Sequence, residues 1–212
     1  MKVIVFDLDD TLYKEIDFLK SAYREIAENF GLPEMYAYML QRYLDGDNAF
    51  KCSIEKYHLP VTIEQLIEIY RTHKPNIALD DVVKTTLATI KAQGIILGLM
   101  TDGYTVTQRN KIEALELHRW IADDDILISG EFGYGKPDER CYRYFMDKWK
   151  DSTFCYVGDN LSKDFVTANK VGWTTICLLN DGRNIFKQDF TVDTQYLPKY
   201  KINSIDELLK II

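Results

Sequence analysis

Several things are scarce in this chain, and each scarcity removes a class of function. Only three histidines occur in 212 residues (His58, His73 and His118), and none has metal-ligand spacing with another or with a cysteine. The four cysteines, Cys52, Cys141, Cys155 and Cys177, include no Cys-x-x-Cys pair. They read as reduced thiols, not as a disulfide framework. No excess of positive charge exists either. With 26 Lys+Arg against 33 Asp+Glu the net charge is −7, which gives no electrostatic reason for a nucleic-acid or anionic-membrane partner. No apolar stretch approaches the roughly 20 residues that span a bilayer. Between Met1-Lys2 and Asp7 stand only the apolar residues Val3 to Phe6, too few for the apolar region of a signal peptide. The expectation is a soluble, cytoplasmic protein with no membrane and no nucleic-acid partner. Internal repeats and low-complexity tracts are also missing.

What is present is an alternation. Short apolar runs at Val3 to Phe6, Ile95 to Met100, Ile126 to Ile128, Phe154 to Val157 and Thr174 to Leu179 read as buried strands. Between them, Val106 to Leu117, Glu139 to Trp149 and Leu161 to Val171 have helical length and spacing. Strands alternating with helices predict an α/β fold, a Rossmann-like parallel sheet with helices on both faces. From Lys14 to Asn76 the rhythm breaks and only helical patterns occur. Leu19, Tyr23, Ile26 and Phe30 keep one face, and Met35 to Leu44, Ala49 to Tyr57 and Ile63 to Tyr70 follow, with breaks at Asp45-Gly46-Asp47 and Leu59-Pro60. So much helix is too long for an ordinary crossover. The predicted organisation is a catalytic core of residues 1–13 and 77–212 carrying an inserted helical cap, 14–76. Asp80 or Asp81 is placed to cap the returning core helix. Ser204-Ile205-Asp206-Glu207 has the form of a capping box before Ile205 to Ile211.

Four of the strand-like runs end in polar clusters. Asp7-Leu8-Asp9-Asp10-Thr11 follows the first, and ligands of open α/β sheets bind beyond the strand carboxyl ends. An Asp there can hold a hard cation or attack phosphorus, although Asp-x-Asp also occurs in turns. Thr101-Asp102-Gly103 follows the second; a hydroxyl and free N–H groups can hold phosphate oxygens, or merely cap a helix. Gly135-Lys136-Pro137-Asp138 presents a lysine on a stiff backbone, suited to neutralising a transferring phosphoryl group, or an ordinary surface lysine before a helix. Gly158-Asp159-Asn160, with Asp164 five residues after Asp159, offers oxygen ligands for Mg²⁺, or helix caps and a first-turn acid. Singly each is weak. In a parallel sheet all four converge on one edge.

This ordered set resembles the haloacid dehalogenase superfamily from residue 1 to about 180. Asp7-Leu8-Asp9-Asp10-Thr11 is similar to its first motif, Thr101 to its second, Lys136 to its third, and Gly158-Asp159 with Asp164 to its fourth. The helical insertion resembles the cap of its small-molecule phosphatases. The resemblance implies that Asp7 attacks phosphorus and that Asp9 protonates the leaving oxygen and then activates water. Thr101 and the backbone at Asp102 would hold phosphate, with Lys136 neutralising Asp7 and phosphate. Mg²⁺ would be held by Asp7, the Asp9 carbonyl and Asp159, with Asp164 a ligand or an orienting group. Two departures are mild: Asp102 stands where Asn is common and Leu161 where Pro is common. Asp102 adds a negative charge near the expected phosphate. Asp10 is expected to serve a turn and not the chemistry.

The carboxylate at position 9 favours phosphate esters, whose alkoxide needs a proton, over the halide release of the dehalogenases. The expected activity is hydrolysis of a small soluble phosphomonoester, a sugar phosphate or nucleoside monophosphate, with a phosphomutase or a non-catalytic binding protein on this fold as alternatives. Asp123-Asp124-Asp125 is expected to be a solvated turn. The cap aromatics (Tyr23, Phe30, Tyr36, Tyr38, Tyr43, Phe50, Tyr57, Tyr70) are expected to be mostly subdomain core, one or two of them reaching the cleft. Lys20, Arg24 and Arg42 are either substrate contacts or a solvated face.

Overall fold

The computed structural model describes residues 1–212. The chain runs β1 (Lys2–Phe6), four helices α1 (Glu15–Asn29), α2 (Pro33–Leu44), α3 (Ala49–Tyr57) and α4 (Ile63–Thr72), then α5 (Asp81–Ala92). It continues through β2 (Ile96–Thr101), α6 (Thr105–Ala114), β3 (Ile126–Ile128), α7 (Ser129–Phe132) and α8 (Glu139–Lys148). Last come β4 (Thr153–Gly158), α9 (Val166–Lys170), β5 (Thr174–Leu178) and β6 (Tyr200–Ile202).

The six strands form one sheet in the order β3-β2-β1-β4-β5-β6, every neighbouring pair parallel. Strand order therefore reverses beside β1, and the crevice at the carboxyl ends of β1 and β4 is where such sheets bind ligands. Because successive strand residues face opposite sides, β1 feeds two cores. Ile4 and Phe6 join Leu97, Leu99 and Val157 under α5 and α6, with Leu87, Ile90 and Ile112. Val3 and Val5 join Met100, Tyr156 and Cys177 under α8 and α9, with Tyr142, Phe145 and Ala168. Burial on both faces explains why these strands read as continuous apolar runs.

Helices α1 to α4 close over an apolar cluster of their own, with Leu19, Tyr23, Ile26, Met35, Met39 and Leu66 buried at its centre. Two caps set local boundaries: the Asn48 side chain accepts from Lys51 N–H, and Thr62 and Gln65 form a reciprocal capping box. Phe50 packs edge-on to both Tyr23 and Tyr70, which are tilted to each other, as subdomain-core aromatics should. No helix of the structure is long and apolar enough to cross a membrane.

Several expected boundaries shift. Strand β2 starts at Ile96 and includes Thr101, and α6 ends at Ala114 because Glu116 turns left-handed at φ 52°. The expected helix from Leu161 is helical only from Val166 to Lys170, so Asp164 lies in the turn before a helix, not in its first turn. Asp80 occupies the N-cap position of α5 without a side-chain bond. Ser204 does not form a capping box: it donates to Asp206, the Glu207 carboxylate accepts from Asn203 N–H, and the segment Ile205–Lys210 is 3-10. The Asp123–Asp125 turn is solvated only in part. Asp123 pairs with Arg109, whereas Asp125 is buried and accepts from Lys148 (2.6 Å) and the Trp149 indole (2.8 Å). Edge strand β6 carries three residues after a long irregular segment, and no periodicity announces it.

Candidate active site

The end of β1 is tied to β4 by Asp7 N–H donating to the Val157 carbonyl at 2.8 Å, which delivers Asp7 to the switch point. Lys136, its side chain fully buried, reaches it from the loop between α7 and α8. The ammonium lies 2.5 Å from Asp7 Oδ1, 2.9 Å from Asp164 Oδ1 and 2.8 Å from the Tyr156 hydroxyl. Burial alone would push this amine down, but Asp164 and Asp7 outweigh it and hold Lys136 well above its ordinary value.

Carboxylate oxygens of Asp7, Asp159 and Asp164 gather within 4.8 Å of one another, all buried. Burial raises Asp7 to about 7, against the pull of Lys136 and with Asp164 adding to the rise. Asp159 is pushed up to about 8 by burial and then by Asp7 and Asp164. One ammonium thus fails to balance this charge, and an all-oxygen, under-neutralised site suits a hard divalent cation. The three acids are not equivalent. Asp164 Oδ2 accepts from the N–H groups of Asp159 (3.1 Å) and Asn160 (2.8 Å), while Oδ1 faces Lys136 and Tyr156. Its oxygens are committed to holding the turn after β4. Asp159 has only Asn184 on one oxygen, at 2.9 Å. Gly158 is required here, since a Cβ would strike the Asp164 carboxylate.

Asp9 points elsewhere. Its Oδ1 accepts from Lys111 (2.6 Å) and Tyr13 (2.5 Å), and its Oδ2 from Gln108 (3.0 Å). Burial raises its pKa, but Lys111 and the three hydrogen bonds together hold it below the ordinary value. Gln108 also donates to Thr101 Oγ1 at 2.5 Å, leaving the hydrogen of that buried hydroxyl for another acceptor. Asp102 Oδ1 accepts from Lys136 N–H (3.0 Å) and Oδ2 from Lys163 Nζ (2.8 Å). Its extra charge is therefore neutralised, and the side chain fixes the Lys136 loop. At Gly135 a Cβ would lie 2.7 Å from Asp102 Oδ1, which explains glycine at that position. Asp10, at φ 55°, staples the turn as expected: its carboxylate accepts from Glu15 N–H (3.0 Å) and Ile185 N–H (2.8 Å).

Asp7, Asp9, Thr101, Asp102, Asp159 and Lys163 line a cavity of about 180 Å³, together with Glu15 at the start of α1 and Phe186. Burial, then Asp9, pushes Glu15 up to about 8. Sequence reasoning missed Lys111, Gln108, Tyr13, Tyr156, Lys163 and Glu15. The last two stand near quoted motifs, but nothing in their spacing marks them. Cap aromatics do not line this cavity; Tyr43 and Lys20 line a neighbouring cleft with Arg183 and Ile185. Arg24 lies over the Tyr36 ring and Arg42 pairs with Asp45 and Asp47, so both are engaged within the helical layer. His73 is a satisfied interior histidine, bonded to the Tyr70 carbonyl and Ser21 and lowered by burial.

The sheet's switch point thus gathers an aspartate, a buried lysine and an acidic pair, and comparison of the sequence with known families assigns the chain. Residues 4–178 match the haloacid dehalogenase-like hydrolases, and the chain belongs to that family. It is a phosphatase within it, a phosphoric monoester hydrolase. The chain is similar to a glyceraldehyde 3-phosphate phosphatase of Methanocaldococcus jannaschii, at 32% identity over all of this chain and 97% of the relative. It is also similar to a phosphoserine phosphatase of Thermus thermophilus, at 23% identity over 81% of this chain and 86% of the other. In fold it resembles the HAD-hydrolase YfnB of Bacillus subtilis, bound to magnesium, at a TM-score of 0.74 and 20% identity, covering 99% and 97% of the two chains.

Proposed function

We propose that this phosphatase is Mg²⁺-dependent and hydrolyses a small sugar phosphate of triose size through an aspartyl phosphate on Asp7. The observation that carries the reading is the Lys136–Asp7 contact inside a cluster of buried carboxylates at the switch point. Lys136 keeps Asp7 oriented and offsets charge on an incoming phosphate. Thr101, accepting from Gln108, has its own O–H free to donate to a phosphate oxygen. Asp7 attacks phosphorus as the ester P–O bond breaks. Asp9, ionised in the free protein, takes up a proton as the negative substrate enters and passes it to the departing alkoxide, and the same carboxylate then takes a proton from the water that cleaves the acyl phosphate. Asp7, Asp159 and the Asp9 carbonyl would hold Mg²⁺, with Asp164 orienting the Asp159 turn. When bound, the ion supplies positive charge that offsets repulsion between these acids and a phosphate dianion. Residues 14–76 act as the cap, and 1–13 with 77–212 as the catalytic core.

Two features support the substrate class. The cavity of about 180 Å³ is small beside the 300–1,000 Å³ of sites for larger ligands, which favours a triose over a nucleoside monophosphate. The lysines grouped around its acids are already paired: Lys136 with Asp7, Lys111 with Asp9 and Lys163 with Asp102, while Lys187, which has no ion pair, lines the adjoining clefts and not this cavity. No unpaired lysine lines the cavity itself, which favours an uncharged leaving alcohol there.

The test is phosphate release with Mg²⁺ from glyceraldehyde 3-phosphate, 3-phosphoglycerate, phosphoserine and phosphoglycolate, by the wild type and by Asp7→Asn. We expect the aldehyde to be hydrolysed at least about tenfold faster than the three carboxylates, the factor set by about 1.4 kcal/mol of discrimination. Asp7→Asn should lose about 10⁴-fold or more in kcat, the scale for a nucleophile removed from a cooperating set. A variant keeping more than about a tenth of the activity rejects the covalent role, and carboxylates turned over as fast as the aldehyde reject the uncharged leaving group.

A further inference from the structure

Lys111 spends an ammonium in the interior. Its side chain is 3% exposed, and its nearest carboxylate is Asp9 at 2.6 Å, with Glu15 at 3.8 Å. The Phe18 ring lies 4.4 Å from the amine on the other side, so α1 and α6 enclose it. A buried ion pair is a poor device for stability, because desolvation consumes most of the Coulombic gain and an apolar pair of similar volume is often as stable. What such a pair does well is fix orientation. Gln108 precedes Lys111 by three residues on α6, so the two side chains share one face of that helix. They take different oxygens of Asp9, Lys111 on Oδ1 and Gln108 on Oδ2, while Tyr13 adds a second donor to Oδ1. Three donors on two oxygens determine the plane of a carboxylate as well as its position. Gln108 also donates to Thr101 Oγ1, so one amide group ties the proton-transfer carboxylate to the hydroxyl beside phosphate.

We propose that Lys111 and Gln108 are positioning residues that hold the Asp9 carboxylate in register with the phosphate site. Neither touches the reacting atoms; they act through Asp9 and Thr101. The inference rests on the phosphatase reading above and adds a division of labour to it. General acid–base catalysis requires the donor to stand within hydrogen-bond reach of its target, and small misplacements are costly. Hydrolysis of the acyl phosphate needs Asp9 as a base whatever the substrate, but in the preceding release of the alcohol, the event read in the first turnover, the dependence on placement should appear only where a proton must be delivered. A glycerol phosphate releases an alkoxide that needs one. p-Nitrophenyl phosphate releases a phenolate that is stable without one.

The experiment measures the first turnover by rapid quench on glycerol 3-phosphate and on p-nitrophenyl phosphate, with Mg²⁺, for wild type, Lys111→Met and Gln108→Leu. Methionine keeps the length of the buried stem while removing the charge. We expect Lys111→Met to slow the glycerol phosphate turnover by about a hundredfold or more, within the range that acid–base groups contribute. The p-nitrophenyl phosphate turnover should slow by less than about tenfold. Gln108→Leu should show the same split in smaller degree, and it carries the test if Lys111→Met does not fold, as circular dichroism would reveal. Inhibition by inorganic phosphate, which needs no proton transfer, reports whether the phosphate pocket itself has moved. Equal slowing of both substrates, or no slowing of either, overturns the inference. Absence of turnover by the wild type on both substrates would instead overturn the phosphatase reading.

Discussion

The Lys163 ammonium stands 2.8 Å from the Asp102 carboxylate, and this contact cancels the charge that Asp102 would otherwise direct at a phosphate. Both groups are partly exposed, at 33% and 22% of their side chains, so the pair is screened and its direct contribution to stability is small. Its effect on an anion in the adjoining cavity is larger, because the two charges arrive there as a neutral unit. We therefore expect Lys163→Met to raise KM for every phosphomonoester by about tenfold, a difference of about 1.4 kcal/mol, with kcat much less changed. The double variant Lys163→Met/Asp102→Asn should recover most of the loss, since the uncompensated acid goes with its partner. A double-mutant cycle on KM checks this, and additive losses would contradict it.

A second prediction concerns acid and metal together. Asp7 and Asp159 are both raised in the folded protein, to about 7 and about 8, relative to an ordinary carboxyl near 3.8. The folded state thus binds protons more tightly than the unfolded chain between about pH 4 and pH 8. Linkage then requires stability to fall as pH rises through that window. In the metal-free protein we expect Tm to decline from pH 5 to pH 8. Saturating Mg²⁺ should reverse the decline, because the ion takes the place of the protons. Asp159→Ala should flatten the metal-free slope and raise the Mg²⁺ concentration needed for half-maximal activity. Thermal scans with and without chelator at four pH values are sufficient, and a metal-free Tm that rises toward pH 8 would falsify the assignment.

The thiols give a third prediction. Burial pushes Cys141 up to about 11 and Cys155 and Cys177 up to about 12, and all three are inaccessible in the two sheet cores. Thiolate is the reactive form, so these cysteines should be inert toward a disulfide reagent in the native protein. Cys52 alone is partly exposed, on α3. Titration should release one equivalent per chain under native conditions and four in denaturant. More than one fast equivalent would mean that a sheet core opens far more readily than its packing implies.

How much of this was legible beforehand differs between the fold and the site. Strands β1 to β5 were visible because each is buried on both faces and must be apolar along its length. β6 was not, because only Ile202 of its three residues is buried. Asp7, Thr101 and Asp159 are visible because each stands at or just after the end of a strand-like run, and Lys136 because Gly135 and Pro137 stiffen the loop that carries it. Tyr156, Lys111 and Gln108 reach the site from within a strand and a helix, where polar side chains look like tolerated exceptions. Their roles come from packing α6 and β4 against β1, which local spacing does not encode. The helical composition of Leu161 to Val171 predicts a helical turn at Asp164. Its carboxylate instead draws the N–H groups of Asp159 and Asn160 into a turn and delays the helix by a few residues.

The last prediction separates chemistry from selection. In the proposed mechanism Lys136, Thr101 and Asp159 would face only what every phosphomonoester shares, and so could not tell one alcohol from another. Discrimination must come from groups that meet the leaving alcohol, and interactions that strengthen only for the correct one appear in kcat/KM. Helices α1 and α2 present Lys20 and Tyr43 to the cleft beside the catalytic cavity, opposite Arg183 and Ile185. Tyr43→Ala and Lys20→Ala should therefore reorder a panel of phosphomonoesters, changing individual ratios of kcat/KM by about tenfold. Lys136→Ala should lower the whole panel together by several powers of ten. It removes the charge facing Asp7 and phosphate, and it strands Asp164 in the interior. Stranding a buried carboxylate costs about 3–5 kcal/mol of stability, so the Lys136→Ala measurements belong below the reduced Tm of that variant. If the α1 and α2 variants scaled every substrate equally while Lys136→Ala changed their ranking, selection would reside in the core and not in the inserted helices.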